Sequence, residues 1–272
     1  MTAADGTQSS TPPAVEVRGL QMQFGALVAL AGITLAVETG ERRALIGPNG
    51  AGKTTLFHIL SGELQPTAGS VRLLGHEVTH LPPHTRARMG LGRTFQRNNL
   101  FGRLTVWENV RLAVQVRRGV AAQPFRPADA YPDVTEDTAA LLDRVGLADR
   151  GADPVAQLSY GEQRQLELAL ALATTPRLLL LDEPTAGMSP AETAHMVEML
   201  DALDRSITLV IIEHDMDVVQ ALADNITVMH LGQLLADGPA AAVRADPRVQ
   251  AVYLGDASGE TPASEGTGRA DS

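Results

Sequence analysis

Gly47-Pro48-Asn49-Gly50-Ala51-Gly52-Lys53-Thr54-Thr55 follows the pattern G-x-x-x-x-G-K-[ST], a spacing that suits a bound triphosphate. Glycines at these places let the backbone close around an anion, with successive N–H groups pointing inward. A helix opening at Lys53 adds the positive end of its dipole at the same spot. Lys53 then reaches the β- and γ-phosphates as a point charge, and the Thr54 hydroxyl fits the shell of a Mg²⁺ ion. A glycine-rich turn that merely carries a lysine is the plainer alternative. The flanks favour the chemical one. Arg43–Ile46 is a short, mostly apolar run that suits a buried strand, and Leu56–Leu60 is apolar and free of helix breakers.

Two carboxylates could serve that phosphate site. Leu178-Leu179-Leu180-Leu181 reads as a strand from the centre of a parallel sheet, and Asp182 and Glu183 follow at its C-terminal end, where the ligands of such sheets bind. Asp182 is suited to hold Mg²⁺ through its water shell. Glu183, one residue further out, is suited to orient or deprotonate an attacking water. Solvated acids capping a strand would look alike in isolation, and the phosphate loop is what makes the pair informative.

Ile207–Ile212 is a second buried strand, and His214 emerges from it at the same sheet edge. There an imidazole can hydrogen-bond the γ-phosphate or the water. His58, His195 and His230 have no such placement and read as surface or packing residues. Leu158-Ser159-Tyr160-Gly161-Glu162-Gln163 opens a further helix. Ser159 is a good N-cap and Gly161 leaves the first turn bare, so its N–H groups again suit a phosphate. Phe24, followed by Gly25, has two readings: a core ring, or an exposed one that stacks on a base.

The elements that must position these residues run in a clear order. Met1 to Pro13 is rich in Ser, Thr and Pro and reads as disordered, as does the tail 256–272. Alternating segments from Val15 to Val37 read as antiparallel strands. Leu91 to Gln96 reads as a strand, Thr105 to Val116 and Thr135 to Val145 as amphipathic helices, and about 97–157 as a helical subdomain. Pro190 to Asp204 reads as a helix with Ala194, Val197, Leu200 and Leu203 inward. Residues 226–236 read as a hairpin about Gly232.

The totals exclude several classes. Of 272 residues, 44% are hydrophobic and 20% charged, ordinary for a soluble globular protein. A formal net charge of −10 argues against nucleic acid as a partner, since phosphate neutralisation needs Lys and Arg in excess. There is no cysteine for disulfides or thiolate metal sites. No run is long and apolar enough to span a bilayer, and Met1 to Pro13 has no features of a secretion signal. A cytosolic location is the expectation.

Taken together, these marks resemble the ATP-binding cassette (ABC) ATPases, over about residues 14–255. The resemblance covers the adenine-stacking aromatic (Phe24), the phosphate loop (Gly47 to Thr55), the Q-loop glutamine (Gln96), the signature (Leu158 to Gln163, with Ser159, Gly161 and Glu162), the strand acids (Asp182, Glu183) and the switch histidine (His214). Arg93-Thr94-Phe95-Gln96, Glu213-His214-Asp215-Met216 and Val252-Tyr253-Leu254-Gly255 look like the ATPase subunits of branched-chain amino-acid importers.

The resemblance implies an α/β fold of the P-loop NTPase type, with a RecA-like core, an antiparallel β subdomain and an inserted helical subdomain. It implies ATP and Mg²⁺ as cofactors, with Thr54, Gln96 and Asp182 at the metal and Lys53, Glu183 and His214 in the chemistry. It also implies a head-to-tail dimer with a second ABC subunit, docked from the cytoplasm on transmembrane permease subunits and fed by a substrate-binding protein. Urea or amide import, or a soluble ABC ATPase outside transport, are the alternatives. Two positions depart from the family pattern: Tyr160 stands where Gly is usual, and Ser189 where most cassettes place Asp.

Overall fold

The computed structural model describes residues 12–94, 100–120 and 131–256. Two sheets organise them. In the first, β1 (Val15–Phe24) pairs antiparallel with β2 (Leu27–Val37) on one side and with β4 (Ala68–Leu73) on the other, and β5 (His76–Glu77) closes the order β2-β1-β4-β5. The antiparallel reading of the N-terminal section holds.

The second sheet runs β10-β9-β3-β8-β7-β6. Its strands β3 (Arg42–Ile46), β6 (Leu91–Arg93), β7 (Leu178–Asp182), β8 (Thr208–Ile212) and β9 (Asn225–His230) are parallel, and β10 (Gln233–Pro239) is the antiparallel edge.

The parallel strands are mostly apolar because both of their faces are covered, and Arg42, Arg43, Thr208 and Thr227 are buried among them. Along β7, Leu178 and Leu180 face one core, which holds Leu56, Phe57, Ile59 and Leu60 of α1 (Lys53–Ser61) and the inner side of the antiparallel sheet. Leu179 and Leu181 face another, built from α3 (Val106–Arg117), α4 (Pro132–Arg144), α5 (Tyr160–Ala173) and α6 (Pro190–Asp201). The alternation is the period-two geometry of a strand. Each fully buried Leu or Phe contributes about 1.5–3 kcal/mol relative to exposure. α7 (Met216–Leu222), α8 (Ala240–Ala245) and α9 (Pro247–Asp256) follow the last crossovers, and Val219 and Val243 pack on β3 and β9. The helices α3 and α4 share one continuous core with α5 and β7.

Three expectations change. β6 ends at Arg93, and Phe95 and Gln96 lie outside the described residues, as do 1–11 and 257–272 at the termini. The helix from Pro190 stops at Asp201, and its inner face is Met196, Met199 and Leu200, with Ala194 exposed. Leu200 and Leu203 are buried as expected and Val197 is partly buried against the same core; Ala194 is the position that differs, and the larger, more adaptable methionines fill that side. α4 begins at Pro132, three residues before Thr135, with proline at its first turn, where its missing N–H costs no bond.

Candidate active site

The phosphate loop connects the buried strand β3 to α1. Gly47, Gly50 and Gly52 take φ of 144°, 78° and 100°, values that L side chains rarely adopt. Gly47 is also held by close packing, since a Cβ there would stand 2.1 Å from the Met229 carbonyl oxygen. At Gly52 a Cβ would stand 2.7 Å from the Ala29 carbonyl oxygen.

The start of α1 differs from those of α3, α5 and α6. Each of those three is closed by a capping box: Thr105 with Glu108, Ser159 with Glu162, and Ser189 with Glu192. α1 has Gly52 as N-cap, no side-chain cap and no acid in its first turn. Its first amides and dipole are left for an anion. Lys53 Nζ donates to the carbonyls of Gly47 (2.5 Å) and Pro48 (2.9 Å), folded over the loop it belongs to. Burial pulls the Lys53 pKa down, and the Glu183 and Asp182 carboxylates oppose that shift. Thr54 and Thr55 are half-buried on the same first turn.

Asp182 ends β7 and is 3% exposed. Neither of its carboxylate oxygens has a hydrogen-bond partner among the described residues. Burial pushes its pKa up, against the pull of Arg93, His58 and Lys53. An orphaned buried carboxylate is costly unless a cation arrives to pair with it. Its neighbourhood fits Mg²⁺ carried in on a triphosphate, with the Thr54 hydroxyl as the other protein oxygen. Among the described residues no group of three or more His, Asp or Glu side chains forms a ready metal cage, so the phosphates would complete the shell.

Glu183 follows in the left-handed region at φ 49°, unusual for a residue with a side chain and worth about 1–3 kcal/mol of strain. Its N–H donates to the Ile212 carbonyl at 3.0 Å, which holds it against the end of β8. His214 Nδ1 lies 3.8 Å from Glu183 Oε1 and 3.9 Å from Glu213 Oε2. Both His214 and Glu183 reach solvent, whereas Glu213 is 1% exposed. A glycine-rich loop with a bare helix start, a buried acid and a solvent-facing acid–imidazole pair thus meet at one edge of a parallel sheet.

Comparison with known proteins agrees with that geometry. Residues 30–186 match the family model described as ABC transporter, more than half of the chain. The chain belongs to the ABC transporter family.

Residues 233–258 of the cassette match a second model, described as branched-chain amino acid ATP-binding cassette transporter. The cassette is 41% identical to the high-affinity branched-chain amino acid transport ATP-binding protein BraF of Pseudomonas aeruginosa, covering 90% of this chain and 99% of that one. It is 39% identical to LivG of Escherichia coli K12, described in the same words, at the same coverage. Among solved structures it resembles an ATP-binding cassette of an ABC transporter in its ADP conformation, with TM-score 0.77 and 28% identity, over 90% of this chain and 100% of that one. The cassette is a nucleotide-binding ATPase with the P-loop fold expected from its motifs.

The remaining sequence-derived residues divide. Phe24 is 46% exposed at the end of β1, as stacking on a base requires. Gln96 lies outside the described residues. Ser159 caps α5, and Gly161 and Glu162 lie in its first turn, beside Tyr160, whose ring packs on Gly187 of the loop that follows Glu183. The expected bareness at Gly161 is absent: a Cβ there would stand 2.4 Å from Glu192 Oε1. Two participants escaped the sequence reading. Glu213 accepts from the Thr185 hydroxyl at 2.6 Å and fixes the turn after Glu183. Arg93 donates to Ser61 Oγ and Glu63 Oε1, both at 2.6 Å, and is the leading positive influence on Asp182. An Arg at a strand end, or an acid before a histidine, carries no sequence signal of burial.

Among the described residues no helix is long and apolar enough to cross a membrane.

Proposed function

We propose that the cassette hydrolyses ATP with Mg²⁺ to drive branched-chain amino-acid import, as one half of a head-to-tail dimer under two transmembrane permease subunits. The observation that carries the chemical part is the Asp182 carboxylate, buried and without a hydrogen-bond partner among the described residues, next to Lys53 and Glu183. Mg²⁺ would neutralise charge on the β- and γ-phosphates as it builds in the transition state. Gly47 to Thr55 wraps the phosphates, Lys53 leaves its own loop's carbonyls for them, and Phe24 stacks on the adenine. Glu183 orients a water on the γ-phosphate and takes its proton, and His214 hydrogen-bonds the phosphate beside it. Ser159 and Gly161 of the second subunit close the site from across the dimer.

The substrate is supported by the relatives' descriptions and by the match at residues 233–258. Membrane attachment is supported by an apolar cavity of about 380 Å³ away from the phosphate loop, lined in part by Pro83, Ala87, Leu91, Leu100, Leu170 and Ala171. It opens beside Arg93 and Thr94, which lead into Gln96. A cytoplasmic helix of a permease subunit fits there, so that dimer closure moves the partner. The test is reconstitution with the permease and binding-protein subunits. Leucine, isoleucine or valine should stimulate ATP hydrolysis in vesicles; stimulation by urea or short amides alone would overturn the substrate.

A further inference from the structure

Both departures from the family pattern meet in one place. The Tyr160 ring packs on Gly187, where a Cβ would stand 3.2 Å from the Tyr160 Cε1. Ser189 begins α6, and its N–H and hydroxyl donate to Glu192 Oε2 at 2.9 and 2.8 Å. The other oxygen of that carboxylate lies over Gly161, 2.4 Å from where a Cβ would stand. Glu192 thus spans two helix starts: its own, and that of the signature helix α5. The Ser189 amide and hydroxyl, and after them the Gly161 amide, hold its carboxyl below the usual range. A capping box needs only the first of these contacts. The reach to Gly161 is extra.

We propose that Glu192 is a positioning residue of the hydrolytic cycle: its carboxylate ties the signature turn to the loop behind Glu183, and a triphosphate on the second subunit must displace it from Gly161. This rests on the head-to-tail reading above. A carboxylate lying over Gly161 stands at the helix tip that a phosphate would approach, and two anions at one helix tip repel. When the γ-phosphate arrives, Glu192 is released from α5, and the Gly187–Ser189 loop loses one of its anchors. That loop begins two residues after Thr185, whose hydroxyl is fixed to Glu213. Nucleotide engaged by a subunit's signature turn is thereby felt at the same subunit's own hydrolytic acid.

The experiment uses the full chain with Glu183→Gln to arrest turnover, and reads the ATP concentration that half-saturates dimer formation by light scattering. Glu192→Gln added to it keeps a capping-box residue and removes the charge. The double variant should dimerise at roughly fivefold less ATP, with an unfolding midpoint within about 2 °C of its parent. Glu198→Gln, on the exposed side of the same helix, should change nothing. An unchanged or higher ATP requirement in the Glu192 variant would overturn the inference, as would an equal drop in the Glu198 variant. Failure of the Glu183→Gln parent to bind ATP and dimerise would sink the head-to-tail reading itself, and this inference with it.

Discussion

His214 Nδ1 and Glu183 Oε1 stand 3.8 Å apart at the ends of two neighbouring parallel strands. The register Asp182↔Ile212 sets the offset, and the left-handed turn at Glu183 swings its carboxylate out toward the imidazole. Both side chains reach solvent, which leaves the imidazole open to a phosphate and the carboxylate open to a water.

Replacing that imidazole should affect chemistry more than binding. His214→Ala is expected to lower kcat about 100-fold while leaving ATP affinity within about threefold. Steady-state ATPase assays beside equilibrium binding of ATP separate the two. A raised KM with unchanged kcat would make His214 a binding residue only.

Asp182 carries an energetic cost that nucleotide and metal relieve. Asp182→Asn should therefore stabilise the nucleotide-free protein by about 1 kcal/mol, raising its unfolding midpoint by about 2–4 °C. The same variant should lose the further stabilisation that Mg²⁺ with ATP gives the parent. Thermal unfolding with and without both ligands checks each half. A lower midpoint in the ligand-free variant would contradict the orphaned-carboxylate account.

Gly47 tests whether the loop depends on close backbone approach. Gly47→Ala places a methyl against the Met229 carbonyl at a backbone angle alanine avoids. A loss of about 1–3 kcal/mol in stability is expected, with ATP binding abolished. Gly102, whose added Cβ would meet nothing within 4 Å, should tolerate alanine. Comparable urea midpoints for the two variants would rule out the packing argument.

Much of this site was legible in the chain because its signals are local. The glycine spacing at 47–52, the apolar run ending in Asp182 and the strand ahead of His214 each carry their meaning within a few residues. The capping boxes at Ser159 and Ser189 could likewise be recognised from serine and glutamate three apart. What escaped depends on distant neighbours. Arg86 is 1% exposed because it donates to the carbonyls of Ile59 and Leu60 at 2.6 and 2.8 Å, closing the end of α1. Arg42 is buried because the Asp201 and Leu203 carbonyls accept from it at 2.7 and 3.2 Å. Nothing within either segment announces those partners. The exposure of Ala194 on α6 escaped for the same reason: how far the inward stripe extends around a helix is set by what packs beneath it.

The central claim is that one carboxylate, set just beyond β7, activates the water while the phosphate loop holds the nucleotide. Its most direct test is Glu183→Gln, assayed for ATP turnover and for binding of ATP with Mg²⁺ in the same preparation. The account expects turnover to fall at least about 100-fold with ATP still held as tightly as in the parent. Turnover at the parental rate, or loss of ATP binding in a folded variant, would contradict it.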